Sequence, residues 1–80
     1  MRTVTLYTKL GCHLCEAVEQ LLVIEQTRQP FAFIRRDISE DAGEYEKYKF
    51  DIPVILVDGV EIARHRLTAA RLQLALGDDR

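Results

Sequence analysis

Two cysteines, Cys12 and Cys15, are the residues of this chain best suited to covalent chemistry. They are its only cysteines, and two residues, His13 and Leu14, separate them. A disulfide between them would stabilise the fold very little, because this stabilisation grows with the length of the loop that is closed. Small secreted scaffolds instead spread four or more cysteines along the chain. The spacing therefore indicates a reactive pair rather than a structural crosslink.

The position of the pair supports this interpretation. Residues 3–7 alternate in a way that predicts a strand, and apolar residues recur at helical spacing from about residue 12 to residue 27. Unpaired N–H groups at a helix N-terminus stabilise a thiolate, so we expect the pKa of Cys12 to lie below the free value of about 8.5. Cys15 follows one turn later, where it could resolve a mixed disulfide. A charged His13 would favour the Cys12 thiolate further.

Metal and haem sites are weaker alternatives for the pair. A structural zinc site needs four ligands, usually Cys or His, and outside the motif only His65 remains. A c-type haem needs a histidine directly after the second cysteine, where this chain has Glu16. Two inert buried thiols are a further alternative, which a predicted exposed helix start disfavours.

The elements around the pair predict an α/β fold. Strands are predicted over residues 3–7, 31–37, 52–57 and 60–63, and helices over residues 12–27, 39–48 (with Ser39 as N-cap) and 69–76 (with Thr68 as N-cap). The order is β-α-β-α-β-β-α, with a four-stranded mixed sheet. The first two strands should be parallel with a right-handed crossover, and Asp58-Gly59 should connect the last two as a hairpin.

Length and composition limit the other classes of function. Eighty residues predict a single domain over residues 1–80. Eleven basic and thirteen acidic residues argue against nucleic acid as a partner. The longest apolar runs, such as residues 53–57, are far shorter than the roughly 20 residues of a membrane span. The N-terminus has no signal-peptide pattern. We therefore expect a cytoplasmic monomer without nucleic-acid or membrane partners.

An ordered set of segments resembles the thioredoxin superfamily and, within it, the glutaredoxins. The segments are Leu6-Tyr7-Thr8-Lys9, Cys12-His13-Leu14-Cys15, Ile52-Pro53-Val54, the Asp58-Gly59 hairpin and the final helix. The chain is most similar to small bacterial glutaredoxin-like proteins of unassigned role. This resemblance implies a thioredoxin-like fold and a cis peptide at Ile52-Pro53 that faces the cysteines. It also implies that the backbone of Ile52 holds a cysteinyl substrate as an added strand.

The resemblance gives Lys9 a role as well, in reaching a glutathione carboxylate or stabilising the thiolate. The alternative for Lys9 is a solvated loop lysine. The chain departs from the glutaredoxin pattern after its last strand, where a glycine-rich turn normally receives glutathione. Residues 63–68 contain no glycine there. Arg64, His65 and Arg66 could supply charge in its place or form a solvated basic turn.

We expect a thiol–disulfide oxidoreductase in which Cys12 attacks and Cys15 resolves. The predicted substrate-binding residues, drawn partly from the resemblance, are Lys9, His13, Leu14, Ile52 and Pro53. No metal and no tightly bound cofactor are expected. Disulfide-containing proteins are the expected substrates, with glutathione as a candidate reductant.

Two other classes of function remain open. The chain could be a non-catalytic binding module or redox sensor, or a carrier of an iron–sulfur cluster with Cys12 as a ligand. A further hypothesis favours protein substrates: Leu10, Leu14, Phe50 and Ile52 would form an apolar collar around Cys12, although each could equally belong to the core.

Overall fold

The computed structural model describes residues 1–77, and their elements follow the predicted order. The elements are β1 (Thr3–Thr8), α1 (His13–Arg28), β2 (Ala32–Asp37), a 3-10 helix (Ile38–Glu40), α2 (Ala42–Tyr48), β3 (Val54–Val57), β4 (Val60–Arg64) and α3 (Ala69–Leu76). The predicted α/β class with a four-stranded mixed sheet is confirmed. The single domain over residues 1–80 stays a prediction, and residues 78–80 lie outside the described residues.

The sheet has the strand order β2-β1-β3-β4. Strand β1 is parallel to β2 and antiparallel to β3, and β3 is antiparallel to β4. Val54 is paired with Tyr7 on one side and with Arg64 on the other. The C-terminal end of β1, the N-terminal end of β3 and the C-terminal end of β4 therefore lie at the same end of the sheet. The loop that leads to the cysteines leaves from this end.

Two apolar cores hold the helices on opposite faces of the sheet. The first core, under α1 and α3, contains the buried residues Val4, Leu6, Val18, Leu22, Phe31, Ile55, Val57, Leu72 and Leu76. The second core, under α2, contains Ile38, Tyr48 and Val54, with Tyr7, Tyr45, Ile52 and Leu56 packed against it. Fully burying one such aliphatic or aromatic side chain contributes about 1.5–3 kcal/mol. The helices are therefore held mainly by these two layers.

The apolar run in β3 is explained by this arrangement. Ile55 and Val57 face the first core, whereas Val54 and Leu56 face the second. A strand covered on both faces has no position for an alternating polar residue. The strand begins at Val54, so Ile52 and Pro53, which were predicted to belong to it, precede it.

Strand β2 ends at Asp37, as predicted, and begins at Ala32, one residue later than predicted. It continues to Asp37 because it pairs with β1 over six residues, and its charged end is tolerated since the strand lies at the edge of the sheet and is largely exposed. Among the described residues, no helix is both long and apolar enough to cross a membrane.

The predicted N-cap at Ser39 is wrong. The Ser39 N–H and hydroxyl both donate to Asp37 Oδ1, at 2.9 Å and 2.6 Å, within the 3-10 helix. Helix α2 begins later, and its N-cap is Asp41, whose Oδ1 accepts from the Glu44 N–H at 3.0 Å. Either side chain can cap a helix. The extra 3-10 turn after β2 decides which one does.

We expect Asp41→Ala to lower the free energy of unfolding by about 1 kcal/mol, because an N-cap acceptor is lost. Urea unfolding followed by circular dichroism measures this loss. Ser39→Ala is the matched control, and it should cost less because it leaves the cap of α2 in place. A larger loss in Ser39→Ala than in Asp41→Ala would contradict this assignment of the cap.

The β3–β4 hairpin is joined to the start of β1 by one carboxylate. Asp58 and Gly59 have φ values of 51° and 81°, as the predicted two-residue turn requires. Asp58 Oδ1 accepts from the Thr3 N–H at 2.9 Å, and Oδ2 accepts from Arg2 at 2.8 Å. These two hydrogen bonds, with that from Thr3 contributing most, lower the pKa of Asp58 below its ordinary value of 3.8.

This lowered pKa predicts an acid-dependent stability difference between wild type and Asp58→Asn. The ionised Asp58 stabilises the folded state above about pH 4. That stabilisation is lost as the pH falls through the lowered pKa. Wild type should therefore unfold at higher urea concentration than Asp58→Asn at pH 7, and the difference should shrink between about pH 4 and pH 2. An equal difference at pH 7 and pH 2 would contradict the role of the carboxylate.

Candidate functional site

The two cysteines form a disulfide at the N-terminus of α1. Cys12 is the N-cap residue, and its sulfur accepts a hydrogen bond from the Cys15 N–H at 3.1 Å. Gly11, with φ of 84°, provides the left-handed turn that brings the chain from the β1 loop into the helix. The predicted position of the pair at the start of the helix is thus observed. In the reduced protein, the same N–H can donate to a Cys12 thiolate.

The two sulfur-bearing residues differ in accessibility. Cys12 is partly exposed, whereas Cys15 is 1% exposed and packs at the end of the core. Their Cα atoms are 5.2 Å apart. An incoming disulfide can therefore reach Cys12 from solvent, while Cys15 can reach only a sulfur already held at Cys12.

Lys9 lies on the loop between β1 and α1, on the side of the cysteines that faces α2. Its carbonyl oxygen accepts from the Cys12 N–H at 3.3 Å, and its Nζ lies 5.4 Å from the centroid of the Tyr45 ring. The side chain is thus exposed but not free of contacts. A cation–π contact of this kind holds the charge near the site.

The two residues between the cysteines point to different surroundings. The His13 side chain is 96% exposed, and its Nδ1 lies 3.8 Å from Glu16 Oε1. Leu14 lines a small groove of about 120 Å³ together with Ala17, Val18, His65, Arg66 and Leu67. Leu14 therefore contributes to a surface beside the cysteines, whereas His13 extends into solvent.

The segment Ile52-Pro53 lies at the same end of the sheet as the cysteine loop. The peptide bond between these residues is cis. The paired residues Tyr7 and Val54 place Pro53 next to the end of β1. Pro53 is buried, and its carbonyl oxygen accepts from the His65 N–H at 2.7 Å. Ile52 is half-buried against the second core.

The basic turn after β4 divides into paired and unpaired cations. Arg64 contacts Glu61 at 2.7 Å and Asp51 at 3.2 Å, and its hydrogen bonds lower the pKa of Glu61. His65 has φ of 71° and lies 3.9 Å from Asp51. Arg66 lines the small groove beside Leu14. Of the three basic residues in this turn, Arg64 has a structural role and Arg66 borders the site.

Sequence reasoning missed a group of residues on α2 near the site. Tyr45 lies between two ammonium groups, since Lys49 Nζ is 5.6 Å from its ring and Lys9 Nζ approaches the same ring. The spacing of Tyr45 and Lys49 by one helical turn was a signal that could have indicated this pair. Tyr48 is buried and stacks on Tyr7 with centroids 4.4 Å apart. Burial is the main reason that the pKa of Tyr7 is raised.

The apolar collar predicted around Cys12 is exposed in part. Leu10 and Phe50 are more than four-fifths exposed, Leu14 is about one-third exposed, and Ile52 is half-buried. Within residues 1–77, no group of three or more His, Cys, Asp or Glu side chains is close enough to hold a metal ion.

Comparison with known families and structures identifies the chain. Residues 3–77 match the family model described as Glutaredoxin-like domain (DUF836). The chain belongs to this glutaredoxin-like family. The match covers both cysteines, the Ile52-Pro53 segment and every strand and helix described above, and it confirms the resemblance found in the sequence.

Solved structures of similar fold are thioredoxin-like proteins. Protein Ne2328 from Nitrosomonas europaea is 23% identical to this chain, with a TM-score of 0.76. The alignment covers 89% of this chain and 86% of the Ne2328 chain. Thioredoxin from Fasciola hepatica is 19% identical, with a TM-score of 0.64, and the alignment covers 94% of this chain and 77% of that thioredoxin chain. Glutaredoxin 1 from Francisella tularensis is 18% identical, with a TM-score of 0.54, and the alignment covers 95% of this chain and 93% of that glutaredoxin chain. The thioredoxin-like fold is therefore confirmed.

The unequal burial of the cysteines predicts unequal reactivity in the reduced protein. Iodoacetamide should modify Cys12 at least about tenfold faster than Cys15 at pH 7, because Cys12 is accessible and its thiolate accepts an N–H. Mass spectrometry of the timed reaction gives both rates. Cys15→Ser should keep the fast rate and Cys12→Ser should show only the slow one. Equal rates at both sites of the folded protein would contradict this geometry.

Proposed function

We propose that this protein is a thiol–disulfide oxidoreductase in which Cys12 is the nucleophile and Cys15 the resolving thiol. The single observation that carries the proposal is the position of Cys12. The residue is partly exposed at the N-terminus of α1, and its sulfur accepts the Cys15 N–H at 3.1 Å. A thiolate is the form that attacks a disulfide, and a helix N-terminus favours it.

The proposed reaction exchanges one disulfide for another. The Cys12 thiolate attacks one sulfur of the substrate disulfide, so a mixed disulfide forms and one substrate thiolate leaves. The Cys15 thiolate then attacks Cys12 Sγ, which closes the Cys12–Cys15 disulfide and releases the second substrate thiol. Two electrons pass from the protein to the substrate. A thiol reductant, glutathione or a protein dithiol, returns the pair to its reduced state.

The surroundings of Cys15 support the resolving role. Cys15 is 1% exposed, so an external disulfide has little access to it, but a mixed disulfide at Cys12 lies next to its thiol. The Cα separation of 5.2 Å is within the range of protein disulfides, so closing the bond needs no large backbone movement.

In this proposal the substrate contacts Lys9, Leu14, Ile52 and Pro53, and His13 contacts it from the solvent side. The backbone of Ile52 receives the substrate as an added strand beside β3. The protein acts as a monomer in the cytoplasm, where glutathione and thioredoxin systems keep thiols reduced. Its substrates are protein disulfides or glutathione mixed disulfides, and the reaction needs no tightly bound cofactor.

Wild type should catalyse insulin disulfide reduction by dithiothreitol, and Cys12→Ser should reduce the rate to the uncatalysed level, because the nucleophile is lost. Cys15→Ser should accumulate mixed disulfides through Cys12, which non-reducing electrophoresis and mass spectrometry detect. The Cys12→Ser/Cys15→Ser double variant is the matched control and should trap nothing.

Full activity in Cys12→Ser, or the absence of activity in wild type together with the absence of trapped species, would contradict the proposal. Redox-dependent binding of a partner without turnover would identify the protein as a redox sensor instead.

A further inference from the structure

A surface of two lysines and two aromatic rings lies beside the cysteine loop on the α2 side. We call it the basic–aromatic rim, and it consists of Lys9, Tyr45, Lys49 and Phe50. Lys9 Nζ lies 5.4 Å and Lys49 Nζ 5.6 Å from the Tyr45 ring, and Lys49 Nζ also lies 5.3 Å from the Phe50 ring. The rim therefore runs without a break from the end of α2 to the loop that carries Cys12.

Two large apolar side chains are exposed on the two segments that carry the rim. Phe50 is 82% exposed, and Leu10, which follows Lys9 and precedes Cys12 by two residues, is 87% exposed. Neither side chain belongs to either core. Large exposed apolar groups beside a reactive residue are typical of surfaces that bind a partner.

The charge of this surface differs from that of the whole protein. The chain has a net charge of −2, yet within residues 1–77 no carboxylate lies within ion-pairing distance of Lys9 or of Arg66, which lines the groove beside Leu14. Lys49 contacts one carboxylate, Glu46, at 3.0 Å. The pKa of Asp37 is lowered mainly by the hydrogen bonds that it accepts from Ser39, and the positive charge of Lys9 makes a smaller contribution.

The available space favours a surface-bound segment over a small ligand. The groove beside Leu14 and Arg66 has a volume of about 120 Å³. Pockets that enclose small molecules are usually about 300–1,000 Å³. A ligand of this site must therefore gain its contacts from exposed side chains on both sides of Cys12.

We propose that the protein substrate presents its cysteine in an acidic segment that also carries an apolar side chain. The acidic residues face Lys9, Lys49 and Arg66, and the apolar side chain packs on Leu10 and Phe50. The inference rests on the proposed exchange reaction and adds its substrate class. The bonds that form and break remain those of that reaction, with two electrons passing from the Cys12–Cys15 dithiol to the acidic disulfide.

The test uses three symmetric disulfides of short peptides that differ only in the residues flanking a Cys-Leu pair, which are aspartate, serine or lysine. Pre-reduced protein is mixed with each, and chromatography follows the released peptide thiol. At about 20 mM salt the aspartate peptide should react about tenfold faster than the lysine peptide, because opposite charges accelerate association. At about 500 mM salt the ratio should fall to about twofold, because salt screens exposed charges.

Variants assign the preference to the rim. Lys9→Gln/Lys49→Gln should lower the aspartate-to-lysine rate ratio to less than half of its wild-type value. Lys47→Gln is the control, because it removes a nearby lysine charge from α2 while its Nζ lies over Tyr48 and not over Tyr45. It should keep both the ratio and the rate for the serine peptide. Leu10→Ser should slow the aspartate peptide, and an analogue with glycine in place of leucine should lose this sensitivity.

Glutathione disulfide carries carboxylates without an apolar side chain, so it should react more slowly than the aspartate peptide. Equal rates for the three peptides, a preference for lysine, or a preference unaffected by Lys9→Gln/Lys49→Gln would overturn this inference and leave the exchange reaction standing. Failure to reduce any of the peptides, glutathione disulfide or insulin would instead refute the proposed function.

Discussion

Burial of apolar side chains from the two central strands is the constraint on which the arrangement of the site depends. Strand β1 directs Val4 and Leu6 into the first core and Tyr7 into the second, and β3 alternates in the same way. Because Val4 and Leu6 of β1 are fully buried, the register between Tyr7 and Val54 cannot slip by one residue without exposing apolar side chains. That register sets the cysteine loop beside the Ile52-Pro53 segment. The packing of side chains in the two cores thus holds the site in place.

The helix that carries the cysteines gives them different properties through one turn of backbone. As the N-cap, Cys12 lies half outside α1 with its sulfur accepting the Cys15 N–H, whereas the Cys15 side chain is buried. Accessibility and thiolate stabilisation thus coincide at Cys12, and both follow from where the helix begins. Moving the helix start by one residue would separate them.

The sequence allowed most of the fold and the reactive pair to be predicted, because these depend on local patterns. The spacing of Cys12 and Cys15, the helical periodicity behind them and the apolar run in β3 each have a direct physical reading. The N-cap of α2 could not be predicted, since Ser39 and Asp41 are both good caps and the intervening 3-10 turn depends on how β2 ends. The position of Tyr45 between two lysines could not be predicted either, because Lys9 reaches it from a distant part of the chain.

The proposed substrate recognition depends on side chains from separate elements. The cations and exposed apolar groups near Cys12 come from the β1–α1 loop, from the end of α2 and from the turn after β4. Strand pairing brings these three segments to one end of the sheet. This pairing does not depend on the exposed residues of the segments. Such residues can therefore change without cost to either core, while the cysteines and the residues that position them stay as they are. A fold of this kind can keep one exchange reaction and vary its substrate through the charge and apolar surface around a single accessible sulfur.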